Sequence, residues 1–88
     1  MAYYTVTADT DLTTKGRRLA AWHFRTTVAA GEINIRNGSV TGDIVVPIFL
    51  AINTSASQAY AMPQGLEFPA GVFVDVVTGT IVGSVDID

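Results

Sequence analysis

The chain reads as an all-β domain, a small antiparallel β-sandwich or jelly-roll-like barrel of about seven or eight short strands. Three observations predict it. Runs of β-branched and aromatic residues alternate apolar with polar side chains at a period of two. Turn residues, among them Asn37-Gly38, Pro69-Ala70-Gly71 and Thr78-Gly79, interrupt these runs at roughly 8–12-residue intervals. The last third, GVFVDVVTGTIVGSVDID at 71–88, holds two such runs around a single glycine turn.

In order, Tyr4, Val6 and Ala8 alternate with Tyr3, Thr5 and Thr7 in a first strand, which Asp9-Thr10-Asp11 ends with turn chemistry. Leu12–Lys15 is a loop closed by Gly16. Residues 17–27, RRLAAWHFRTT, contain good helix formers, yet Trp22, His23, Phe24 and the threonines favour a pleated surface, and Gly16 and Gly31 bracket a strand. Ala20, Trp22 and Phe24 then share one face, and Arg17, Leu19, Ala21, His23 and Arg25 the other. After the Ala30-Gly31 turn, Ile33 and Ile35 point inward while Glu32, Asn34 and Arg36 point outward. Asn37-Gly38 is a strong turn signal, in a connection that extends to Gly42.

Residues 43–53, DIVVPIFLAIN, form the most apolar strand. Ile44, Val46, Ile48, Leu50 and Ile52 line one face; Val45, Phe49 and Ala51 line the other, with Pro47 among them. Proline cannot donate to a ladder, so this strand lies at an edge or is bulged. A polar turn at Asn53–Ser57, a short strand at Gln58–Met62, a turn at Pro63-Gln64-Gly65 and an extended Leu66-Glu67-Phe68 lead to the last third. There a two-residue loop at Thr78-Gly79 predicts a hairpin pairing Val77 with Thr80, Val76 with Ile81, Val74 with Gly83 and Val72 with Val85, all the apolar pairs on one face.

One domain spans 1–88, with 1–11 as a first strand or as an N-terminal arm that reaches a neighbour. Hydrophobic residues make up 49% of the chain, more than a small monomer easily hides, so part of them is expected in subunit contacts. There is no cysteine, hence no disulfide framework and no thiolate metal site. The opening MAYYTVTADTD lacks the basic and apolar regions of a secretion signal. The longest apolar run, Ile44–Ile52, contains Pro47 and is too short for a membrane helix, so no membrane partner is expected.

A net charge of −3 argues against nucleic acid, which needs a basic footprint. The charge is uneven. Residues 1–42 carry all five cations against Asp9, Asp11 and Glu32, a net of +2, and residues 43–88 carry five acids and no cation, a net of −5. These are either solvated faces or a basic side of one copy that meets an acidic side of the next.

No motif carries catalysis. His23 is the single histidine, beside Trp22 and Phe24, and nothing places a serine and an acid around it. Asp9-x-Asp11 and Asp86-x-Asp88 lack the further oxygens a calcium site needs, and no phosphate-binding glycine motif is present. Tyr3, Tyr4, Trp22 and Tyr60 are either core or a sugar-stacking surface. No enzyme activity, cofactor or metal is therefore expected. The candidate contact residues are Val45, Pro47 and Phe49, with Arg17, Arg18 and Tyr3 beside them; the alternative is that a sandwich hides the first three within one chain.

The runs KGRRLAAWHF, EINIRNG, GDIVVPI and MPQGLEFPAGVFVDVVTGTIVGSVDID resemble the small all-β virion proteins of tailed bacteriophages, most closely the head decoration, or cement, proteins. The shared pattern is Gly16 and Leu19, Asn37-Gly38, Pro63-Gln64-Gly65-Leu66-Glu67-Phe68, Gly71 and Gly79-Thr80, and it covers the chain from Lys15 onward. Arg17-Arg18 and the acidic end Val85-Asp86-Ile87-Asp88 depart from it. The resemblance implies a non-enzymatic protein on the outer face of the capsid, bridging major capsid protein subunits, often as a homotrimer. Other expectations are a tail, connector or fibre-base component, or a small module that binds carbohydrate or a host surface.

Overall fold

The computed structural model describes residues 2–61 and 64–88. Within them lie nine strands: β1 (Ala2–Val6), β2 (Thr10–Leu12), β3 (Arg18–Thr26), β4 (Gly31–Asn37), β5 (Ile44–Leu50), β6 (Ser55–Ala59), β7 (Leu66–Glu67), β8 (Val72–Thr78) and β9 (Ile81–Ile87). They form two antiparallel sheets. One runs β1-β9-β3-β6, with β7 also beside β3; the other runs β2-β8-β4-β5.

The connectivity is that of a rolled ribbon. β1 pairs with β9, β2 with β8, β3 with β6 and β4 with β5, and the ribbon closes where β9 meets β3 and β8 meets β4. This is the jelly-roll form of the β-sandwich. The predicted fold class therefore holds.

The predicted terminal hairpin does not form. β8 lies between β2 and β4, and β9 lies between β1 and β3, so neither has a free side for the other. Thr78–Thr80 instead carries the chain from one sheet to the other, with Gly79 at φ 87°. The inward set is nevertheless the predicted one: Val72, Val74, Ile81 and Val85 are all buried. They belong to opposing sheets of one core rather than to adjacent strands of one sheet.

Two bulges explain other departures. Leu19 pairs with Ile87 and Ala21 with Asp86, so Ala20 is an extra residue in β3 that resets its phase. Leu19, expected outward, is consequently buried together with Ala20 and Phe24. In β5, Val46 pairs with Ile35 and Ile44 with Arg36, which leaves Val45 as the bulged residue. Val45 and Val46 both pack against the core for this reason. Residues expected as turns proved extended at two places. Thr10–Leu12 pairs with β8, and Ser55–Ala59 pairs with β3, so β6 begins earlier than predicted. The predicted end of that strand at Met62, and Pro63 in the next turn, lie outside the described residues.

The core draws Val6, Leu19, Phe24, Ile81, Val85 and Ile87 from one sheet. The other sheet contributes Leu12, Ile33, Ile35, Ile48, Leu50, Val72 and Val74, and Phe68 enters from the connection before β8. Fully burying a Phe68-sized side chain contributes about 2–3 kcal/mol. Its segment is held by the Phe68 N–H to the Arg17 carbonyl (2.8 Å) and the Gly71 N–H to the Phe68 carbonyl (2.8 Å).

Candidate interaction surface

The register places the connections in two groups. β1, β3, β5 and β8 run toward one end of the sandwich and β2, β4, β6 and β9 run away from it, because all pairings are antiparallel. Residues 7–9, 27–30, 51–54 and 79–80 therefore meet at one end. Residues 13–17, 38–43, 60–61 and 64–71 gather at the other.

The connections at the first end carry little charge, and Arg25 and Glu32 stand at the adjoining ends of β3 and β4. Connections 27–30, 51–54 and 79–80 read TVAA, AINT and GT. The fourth connection contributes Asp9, whose Oδ1 accepts the Val76 N–H at 2.8 Å, in place of the strand residue that β2 is too short to supply. Val28 is 79% exposed, Phe49 72%, Ile52 55% and Val77 45%. The second end carries Lys15, Arg17, Arg18, Asp43, Glu67 and Asp88, with exposed Val40 and Ile44 among them.

Thr26 holds the apolar end together. It is buried, and its Oγ1 donates to the Ala51 carbonyl at 2.5 Å, lies 3.3 Å from the Thr54 carbonyl and accepts the Thr54 N–H at 3.1 Å. The Thr26 N–H reaches the Thr54 carbonyl and the Asn53 N–H reaches the Thr27 carbonyl. These bonds fix the crossing from β5 to β6, with Asn53 at φ 52°. Side chains rarely adopt that conformation, and asparagine is among those that tolerate it. Two shallow recesses flank the crossing. One, of about 230 Å³, is lined by Glu32, Asn34, Pro47, Ile48 and Phe49. The other, of about 300 Å³, is lined by Arg25, Thr26, Thr27, Asn53, Thr54 and Ser55.

The candidate contact residues are not brought into one patch. β5 is an edge strand, as Pro47 predicts, and it carries both Pro47 and Phe49 exposed. Val45 is half-buried by its bulge. Arg17 and Arg18 sit at the far end and secure the segment before β8. Arg17 Nη1 donates to the Pro69 carbonyl at 2.6 Å, and Arg18 lies 3.7 Å from Glu67. Tyr3 is exposed on the outer side of edge strand β1. Val28, Ile52 and Val77, exposed at the same end as Phe49, are not among the sequence candidates. Their signal was apolar residues in loops and at strand ends that carry no charge.

The other constellations have structural employment. Trp22 stacks on Phe24 with ring centroids 5.8 Å apart, and its Nε1–H donates to the Tyr60 hydroxyl at 3.2 Å, so it packs partly buried against the core. Asp11 accepts both the Thr13 hydroxyl (2.7 Å) and the Thr13 N–H (3.0 Å), and these bonds hold its pKa below the ordinary value of 3.8. His23 is exposed on the outer face between Ser57 and Ser84. Among the described residues, no group of three or more His, Cys, Asp or Glu is placed to hold a metal.

The two halves of the chain, unequal in charge, are interleaved. Arg36 Nε meets Asp75 Oδ2 at 2.9 Å, and the Arg18–Glu67 pair likewise joins a cation of the first half to an acid of the second. The charge separation in sequence is thus not a separation into two faces of the molecule. Comparison with known proteins returned no match to a family model, a curated protein or a solved structure.

Proposed function

We propose that this chain is a non-enzymatic decoration subunit on the outer capsid surface of a tailed bacteriophage, seated on the major capsid protein. The observation that carries the reading is the polarity of the sandwich, with exposed Val28, Phe49, Ile52 and Val77 gathered at one end beside few charges and the opposite end richer in charge. An exposed apolar patch on a small protein marks a contact surface. The apolar end faces the capsid lattice in this reading, and the charged end faces solvent. The jelly roll accommodates this role, being used by viral capsid proteins as well as by lectins and other classes, and the phage-like turn pattern in the sequence selects among them. Many copies, each adding a contact of modest size, would stabilise a lattice by summed burial.

Quantitative mass spectrometry of purified virions of the phage that encodes the chain tests the proposal. A copy number that scales with the capsid lattice is expected. A copy number fixed by the symmetry of a tail or portal would move the protein to that structure, and no copies at all would remove it from the virion.

A further inference from the structure

Among the described residues five strands lie at the edges of the two sheets, and they are not equally protected against pairing with another chain; β7, beside β3, has only two residues, one of them Glu67. In one sheet, β2 has three residues with Asp11 at its centre, and β5 carries Pro47 and the Val45 bulge. Short length, charge, proline and bulges are the devices that blunt a sheet edge. In the other sheet, β6 reads SASQA, built from residues with low strand preference. β1 has no such protection. It reads AYYTV, five residues rich in β-formers, without proline, charge or bulge, and only its β9 side is paired.

We propose that two copies of this chain pair antiparallel through β1, joining their five-stranded sheets into one. The inference goes beyond the decoration reading and does not rest on it. Three features on β1 favour a second copy as occupant. The strand is self-complementary: a two-fold axis at Tyr4 sets Ala2 against Val6, Tyr3 against Thr5 and Tyr4 against Tyr4 of the second copy. That register uses all five residues and adds an aromatic cross-strand pair. No charge lies on the strand, and the nearest acid in β9, Asp86, sits behind Tyr3. The two Asp86 residues would be three strand spacings apart, roughly 14 Å, beyond the screening length of about 8 Å. Tyr3 and Thr5 are exposed, so pairing covers surface that the single chain leaves open.

Light scattering of the purified full chain over a concentration series, with Tyr3→Lys/Thr5→Lys as the comparison, tests this. The two substitutions set Lys against Lys across the proposed pair while leaving the core untouched. The expected result is a mass of twice the 9.3 kDa chain for the native sequence and of one chain for the variant, with unchanged circular dichroism. In the native protein, amide exchange at residues 3–5 should also slow as concentration rises, a readout that holds even if the variant fails to fold. A native mass of one chain up to about 1 mM would overturn the proposal. So would a dimer that survives both substitutions, a mass that grows past two copies by head-to-tail pairing of β1 with β6, or exchange that does not depend on concentration.

Discussion

Single side chains at the turns do work that the alternation of strands cannot. Asp11 is fully exposed, yet it accepts two bonds from Thr13, the hydroxyl bond having the larger effect on its pKa. Its folded pKa is depressed, so its contribution to stability is present above the ordinary 3.8 and is lost as pH falls through the lower folded value. Thr13→Val removes the hydroxyl and keeps the N–H. A carboxyl-carbon NMR titration should then show the Asp11 pKa moving up toward the ordinary value, and an unmoved pKa would mean that the hydroxyl is not its cause. Thr26 has a larger role because it is buried. Thr26→Val keeps the shape but leaves the Thr54 N–H and the Ala51 carbonyl without their side-chain partner. That change should cost about 1–3 kcal/mol in urea denaturation, with the loss of protection from hydrogen exchange concentrated in residues 51–54.

At the scale of elements, alternation made the inward residues legible and left their partners open. Val72, Val74, Ile81 and Val85 share a face in a hairpin and also in an arch between two sheets, and their periodicity is the same in both. What decided was long-range: β8 and β9 each gain two other neighbours, and no local signal encodes that. β2 was illegible for a different reason. Asp9-Thr10-Asp11 is sound turn chemistry, and Thr10–Leu12 is extended only because β8 offers a partner. Pro47, by contrast, stated its position outright, since a missing donor is tolerated at an edge. Gly83 shows how a predicted contact can be replaced by a better one. It sits opposite Phe24, and an added Cβ would meet the Phe24 ring and the His23 carbonyl. The ring therefore fills the space that a side chain at 83 would need. Gly83→Ala should destabilise the fold by about 1–3 kcal/mol, as overpacked cores do. Thermal unfolding checks this, and an unchanged midpoint would show that β3 and β9 can separate without cost.

At the scale of the whole molecule, the apolar excess of the sequence was plain, but its placement was not. The sequence reading placed Ile52 on one face of its strand, opposite the face of Phe49, and named neither Ile52 nor Val28 as a contact residue, whereas the roll brings both to the end where Phe49 lies. That convergence depends on which ends of the strands coincide, which only the pairing defines. It also makes a directional prediction for the decoration role. Phe49→Ser/Ile52→Ser changes two side chains already 72% and 55% exposed, so stability should shift by only about 0.5 kcal/mol for each. Binding to capsids that lack the protein, followed by co-sedimentation, should fall at least about tenfold, which corresponds to roughly 1.4 kcal/mol of lost contact energy. Lys15→Glu, at the charged end, should leave binding unchanged. If Lys15→Glu abolishes sedimentation with capsids and the double serine variant does not, the charged end is the one that docks, and the apolar end faces another copy or a different partner.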